Sequence, residues 1–257
     1  MSWVAIVRDV ARSIERCELT HVARAPIDFE RATLQHEAYV AGLARNGVEV
    51  VRLAADERYP DGCFVEDAAI VLDELTVMAM PGAASRRGEL SDVEKALRPF
   101  RAELARIDLP ATLDGGDVLV FGRRVYVGRT TRTNPAGIEA LRLHLRPHGY
   151  EVTGIDVPGC LHLKSAVSVL DAETLLANRS WLDSGPFGEV LFVDVDPAEP
   201  GAANVLRVGD ELWAHPGFPR TLERLRGLGY PVVPMDISEF VKAEAALTCK
   251  SLLFRRN

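Results

Sequence analysis

Apolar residues in this chain recur in two rhythms, short β-rich runs and longer stretches at helical spacing. The runs are VAIVRDV, FVEDAAIVL, LTVMAM, VLVFGRRVYVG, LKSAVSVL and EVLFVDV. Their valine, isoleucine and aromatic residues suit a pleated, half-buried surface. The fourth run folds back as a hairpin around Gly122–Arg123. Helical spacing predicts a helix over 30–46, with Leu34, Ala38, Ala41 and Ala44 or Arg45 near one face. A second helix is predicted over 135–147, where Asn134 supplies an N-cap and Pro135 a first-turn proline. A third, about 89–106, follows Ser85–Gly88.

One phrase occurs three times: LARNGVEVVRL at 43–53, LRPHGYEVTGI at 145–155 and LRGLGYPVVPM at 225–235. In each, a helix ends at a glycine (Gly47, Gly149, Gly229) able to take the left-handed cap conformation, and an apolar residue then leads into a β-rich run. Alternating short strands and helices in repeated units imply an α/β fold built from modules of about 50 residues. No Gly/Ser-rich linker or low-complexity tract divides the chain, so residues 1–257 are read as a single domain.

The composition, 47% hydrophobic and 26% charged, is that of an ordinary globular protein with a sizeable core. A formal net charge of −7 argues against nucleic-acid or anionic-membrane partners, which select basic patches, and favours a cationic small molecule. Cys17, Cys63, Cys160 and Cys249 lie far apart with no CxxC pair, so neither a disulfide framework nor a zinc ribbon is expected. No apolar run approaches the roughly 20 residues that span a bilayer, and no signal peptide is recognisable, so the expected location is cytoplasmic.

Reactive side chains gather in three places. PDGCFVED puts Asp61, Glu66 and Asp67 beside a strand, where they would repel one another unless a cation neutralises them. If the segment is extended, Glu66 and Asp67 face opposite sides and need a bend to converge. The alternative is a solvated turn. In ATLDGGDVLVFG, two glycines between Asp114 and Asp117 allow a sharp turn that could aim a carboxylate into a cleft, or form an ordinary acidic β-turn. LHLKS and LTCKS contribute His162 and Cys249, each readable alone as core packing. Together with a carboxylate they permit nucleophilic catalysis, in which a thiolate attacks a trigonal carbon while the histidine moves protons.

PDGCFVED, PGAASRR, ATLDGGDVL, VYVGRTTRTN, LHLKS and LTCKS resemble, in order and spacing, the motifs of the dimethylarginine dimethylaminohydrolases, over about residues 35–255. The resemblance implies a five-module pseudo-symmetric α/β propeller of repeated ββαβ units, with the active site in its central channel. It implies Cys249 as nucleophile, His162 as general acid and base, and Asp114 positioning the histidine. Asp61, Glu66 and Asp67 would bind the guanidinium and α-amino group. Arg86 and Arg132 would hold the α-carboxylate, and Leu19 would lie on a flexible lid. The activity implied is hydrolysis of N-methylated arginine to citrulline through a covalent thiouronium, with no metal or organic cofactor. The resemblance also admits a homodimer.

Two positions depart from or extend the pattern. Five residues before the cysteine, where many relatives carry a guanidine-contacting aspartate, this chain has Glu244, one methylene longer. It is expected to bind substrate, with the preferred guanidine left open between methylated arginines and arginine or another guanidine. An amidinotransferase on the same scaffold and a non-catalytic amino-acid-binding module are the other readings. Lys250 either assists the thiolate or, if the segment is a strand, points away from it.

Overall fold

The computed structural model describes residues 2–256. Among them are five three-stranded sheets, each pairing one antiparallel and one parallel neighbour with a middle strand. The sheets are Ala69–Val71, Thr76–Met78, Leu104–Arg106; Val118–Phe121, Arg124–Arg129, Glu151–Asp156; Val167–Val169, Thr174–Ala177, Leu191–Asp194; and Leu206–Val208, Glu211–Ala214, Val232–Pro234. The fifth draws on both ends of the chain. Trp3–Arg8 pairs antiparallel with Leu252–Arg255 and parallel with Glu49–Leu53. The last module is thus completed by the first strand, which closes the ring.

Parallel neighbours need a crossover, and helices supply it. Phe29–Arg45, Leu90–Leu97, Pro135–Leu145 and Pro219–Gly227 each bridge the second and third strands of a sheet. The third module departs from the expected ββαβ unit: a 3-10 turn, Gly185–Phe187, stands where the helix would be. Pro186 lacks the N–H that a helix interior needs, and Gly185 and Gly188 flank it, so the sequence there cannot sustain one.

The glycines of the repeated phrase have positive φ, +72° at Gly47, +76° at Gly149 and +89° at Gly229, and a Cβ there would meet nothing within 4 Å. The requirement is conformational rather than steric. Asn134 caps its helix by accepting from the Gly137 amide at 2.8 Å. The helix expected over 89–106 stops at Leu97, because Pro99 cannot donate the next backbone bond; a strand follows at Leu104. In Phe29–Arg45 the inward face is Ala32, Gln35, His36, Tyr39, Gly42 and Leu43, not the Leu34–Ala38–Ala41 stripe, and Leu34 is exposed. The large side chains decide this: Tyr39 stacks edge-on against the buried Trp213 with centroids 5.3 Å apart, burying far more apolar area than alanines could. No helix among the described residues is long and apolar enough to cross a membrane.

Candidate active site

A short helical turn precedes the first strand of every module: Val65–Ala68, Gly115–Asp117, Leu163–Ala166, Pro200–Ala203 and Thr248–Lys250. These turns carry or adjoin nearly all the reactive residues. They also touch in sequence around the centre, Thr248–Lys250 against Val65–Ala68, that turn against Gly115–Asp117, and so on to Pro200–Ala203. Asn204 closes the circle. Its amide donates to the Lys164 carbonyl at 2.9 Å and to Thr248 Oγ1 at 3.0 Å, while its oxygen accepts from the Thr248 amide at 3.2 Å. The turn at Val65–Ala68 is the bend that lets Glu66 and Asp67 both reach the buried centre.

His162 is buried, and its Nε2 lies 3.1 Å from Asp114 Oδ2. Asp114 is fixed in turn: Oδ1 accepts from the Gly82 amide at 2.9 Å, and Arg132 Nη1 stands 3.8 Å from Oδ2. Asp117 sits behind the histidine, accepting from Thr130 and Thr133 hydroxyls at 2.7 Å each and from the Leu163 amide at 3.0 Å. Burial alone would keep His162 neutral, yet Asp67, Asp117 and Asp114 together push its pKa up to about 9. Burial raises Asp117 to about 6 against the pull of His162. Asp67 goes the other way: burial opposes its charge, but His162 and Arg86 bring it down to about 2.

Asp67, Asp114 and His162 offer ligand atoms all within 4.8 Å of one another, close enough to hold a metal ion. The same oxygens, however, already face the Arg86 guanidinium and the Gly116 and Gly82 amides. These donors neutralise the cluster without an ion.

Cys249 is partly accessible, whereas Cys17, Cys63 and Cys160 are buried; all four are free thiols. The Ala246 amide donates to its sulfur at 3.4 Å. Burial, then the Glu66 and Asp67 charges, push the thiol up to about 12. Glu66 itself accepts from Lys164 Nζ at 2.5 Å and Thr248 Oγ1 at 2.9 Å, with burial raising its pKa. The nucleophile candidate thus sits in a negative field. Cys249 and Lys250 lie in a 3-10 turn rather than a strand, and Lys250 runs into the core, its Nζ 3.2 Å from the Phe240 ring centre.

The expected carboxylate clamp is divided in this structure. Arg132 makes only long contacts, to Asp114 and, at 3.5 Å, to Thr20 Oγ1. Arg86 is spent on protein: it bonds Asp67, Glu89 at 2.9 and 3.2 Å, and the Phe64 carbonyl at 2.9 Å. Asp61 accepts the Glu18 amide on both oxygens, at 3.3 and 3.1 Å, and burial raises its pKa. Leu19 packs partly buried against the neighbouring apolar cluster. Glu244 does not turn toward the carboxylates. Its oxygens accept the amides of Thr20 at 2.6 Å, His21, and Val22 at 2.8 Å.

Sequence reasoning passed over Lys164, Asn204 and Glu89, and named Asp117 only as one end of a glycine turn. Lys164 and Asp117 lay inside quoted motifs, next to residues that drew attention for their chemistry. Asn204 and Glu89 carried no local signal, since their partners come from other modules or from a buried arginine.

Comparison with known proteins agrees with the fold. A sequence model described as "N,N dimethylarginine dimethylhydrolase, eukaryotic" matches residues 20–166. A Streptomyces coelicolor N(G),N(G)-dimethylarginine dimethylaminohydrolase is 39% identical over 251 residues, covering 98% of this chain and 96% of the relative. Its Pseudomonas aeruginosa namesake is 32% identical over 251 residues, covering 97% and 98%. A solved structure of the Pseudomonas protein, a cysteine-to-serine mutant complexed with citrulline, superposes with a TM-score of 0.93 over 99% of this chain and 100% of the other.

Proposed function

This chain belongs to the dimethylarginine dimethylaminohydrolase family, and from that premise we propose that it hydrolyses N-methylated L-arginine to L-citrulline, releasing dimethylamine or methylamine. The residue assignment rests chiefly on one observation: a buried imidazole held by Asp114 lies in the same carboxylate field that acts on Cys249.

The chemistry follows from the charges. Before substrate enters, Cys249 is a thiol and His162 an imidazolium at neutral pH. A guanidinium entering beside Glu66 and Asp67 offsets the field that disfavours the thiolate, and the thiol loses its proton to solvent. The sulfur attacks the guanidinium carbon, and the C–N bond to the methylated nitrogen breaks as His162 gives that nitrogen its proton. This leaves an S-alkylthiouronium on Cys249. Neutral His162 then takes a proton from water, the hydroxide attacks the same carbon, and the C–S bond breaks to return the thiolate and O-protonated citrulline, which loses that proton to solvent. Asp114 keeps the imidazole oriented through both transfers.

Arg132, whose present contacts are long, would bind the α-carboxylate, and a planar two-point grip suits a guanidinium better than an ammonium. Arg86 reaches that role only by leaving Asp67 and Glu89, so its principal work is to hold Asp67 charged. Asp61 and the Leu19 carbonyl would take the α-amino group. An arginine for the α-carboxylate argues against agmatine, which has none.

We read residues 1–257 as one domain because the two ends of the chain share a sheet. Four free thiols suit the cytoplasm.

Purified protein supplied with asymmetric dimethylarginine, monomethylarginine, arginine or agmatine tests this reading. Citrulline should form from the methylated substrates, and Cys249→Ser should abolish it. Turnover undiminished in that variant would sink the mechanism, and turnover of arginine alone would reassign the substrate.

A further inference from the structure

The segment 18–24 crosses the site without regular structure. From Glu18 to Arg24 only Leu19 is better than exposed, and none of these residues takes part in a backbone–backbone hydrogen bond among the described residues. Side chains tie it down instead. Asp61 accepts the Glu18 amide, Ser85 Oγ donates to the Glu18 carboxylate at 2.6 Å, and Arg132 reaches Thr20 Oγ1. The densest tie is Glu244, which gathers three consecutive amides. Consecutive N–H groups converging on one carboxylate form the charge-assisted arrangement proteins use to hold anions.

Glu244 also stands in a costly conformation. It is the one non-glycine residue with positive φ among the described residues, at +55°. The turn around it ends the helix Ser238–Val241, with the Ala245 amide donating to the Phe240 carbonyl at 3.1 Å, six residues closing on one. That is the position where a glycine is the usual choice, since it has no Cβ to strain. Glycine would satisfy the turn, whereas Glu244 satisfies the turn and the three amides together. Strain kept at one residue beside a site points to a function for its side chain.

We propose that Glu244 is a latch, a positioning residue whose carboxylate holds residues 18–24 closed over the substrate rather than contacting the guanidine. This rests on the guanidine-hydrolase reading. It assigns guanidine recognition to Glu66 and Asp67 and makes Glu244 indifferent to methylation. His21, Val22 and Glu244 also line a cavity of about 330 Å³, together with Trp181 and Phe218. Releasing the carboxylate frees that part of its lining.

Glu244→Gly removes the latch while relieving the backbone, so it is expected to fold with an unchanged or higher Tm. Glu244→Gln keeps the shape and removes the charge. Amide hydrogen exchange followed residue by residue in the full chain reads the latch without turnover. The amides of Thr20, His21 and Val22 should exchange at least tenfold faster in both variants than in the wild type, with core strands unaffected. KM should then rise by the same factor for asymmetric dimethylarginine, monomethylarginine and any unmethylated guanidine turned over. Unchanged exchange at the three amides overturns the proposal. So does faster exchange with unchanged KM, or a KM effect confined to methylated substrates. A wild-type protein inactive on every guanidine would defeat the reaction assigned above, and the exchange measurement would still decide whether Glu244 holds the segment.

Discussion

Two neighbours in sequence, Cys249 and Lys250, show how far one side chain's surroundings determine its chemistry. Both are raised or lowered chiefly by burial, the thiol up to about 12 and the amine down to about 7. Cys249 faces carboxylates, and in the proposed mechanism its proton is lost when a cationic substrate offsets them. Lys250 faces the rings of Phe240 and Tyr39, with its Nζ 3.3 Å from His36 Nδ1, and forms no ion pair with a carboxylate among the described residues. Burial also lowers His36, to about 3, so it remains neutral beside the amine. The folded pKa of Lys250 lies below its unfolded value. The unfolded chain therefore binds the proton more tightly, and the cost to the fold is complete below pH 7 and fades as pH rises toward 10.5. Replacing Lys250 by methionine should stabilise the protein by about 1–4 kcal/mol. Melting at pH 6 and pH 9 checks this, with the larger gain expected at pH 6. A loss at pH 6, or an equal change at both, would contradict it. Neither residue's role was legible alone. Strand alternation predicts Lys250 on the side away from the nucleophile, and it does turn into the core, but through a 3-10 turn that one-residue patterning cannot reveal.

Among the elements, strands and long helices were legible and the turns were not. The run VLVFGRRVYVG forms the expected hairpin, with Phe121 opposite Arg124 and Gly122 at φ +62°. Asn134 and Pro135 start the helix they signalled. By contrast FVEDAAIVL and LKSAVSVL, read as β-rich runs, begin with helical turns at Val65–Ala68 and Leu163–Ala166. A single turn is too short to show a period, and its apolar residues blend into the strand behind it. The two glycines of LDGGD have a reason different from the turn that suggested them. Neither has positive φ; they are needed for close approach. A Cβ on Gly116 would lie 2.6 Å from His162 Nδ1 and 2.8 Å from Asp67 Oδ1, and one on Gly115 would lie 2.0 Å from the Glu66 carbonyl oxygen. Gly116→Ala presses on side chains that can swing aside, so the variant should fold and lose activity by roughly 10²-fold, the usual effect of a misplaced catalytic group. Gly115→Ala meets backbone and should lower Tm as well. Steady-state kinetics and melting curves on the pair separate the two effects, and a fully active Gly116→Ala would show that the imidazole has more room than the structure allows.

The molecule as a whole is a ring of five sheets whose centre is lined by five turns. A repeat of helix, glycine and strand was visible at three of the modules because Gly47, Gly149 and Gly229 cap real helices. It was invisible at the module ending near Pro99 and at the one with Gly185–Phe187, where the capped helix is shortened or absent. Closure by the chain ends could not be seen locally at all, since Val4 pairs with Phe254 across the full length of the sequence. Removing residues 251–257 deletes an inner strand partner and exposes Val4 and Ile6, both completely buried. The expected outcome is loss of cooperative melting rather than a small shift in Tm. A truncated chain that still melts sharply would mean the ring does not depend on that strand.

The central claim is that Cys249 forms a covalent bond to the substrate's guanidine carbon and His162 then directs water to break it. Mass analysis of peptides from protein quenched in acid at successive early times during reaction with asymmetric dimethylarginine reads this directly. The account predicts an adduct on Cys249 equal in mass to the substrate less dimethylamine, absent from Cys17, Cys63 and Cys160. Citrulline produced by wild-type protein with no such adduct at any quench time, or an adduct on another residue, would contradict it.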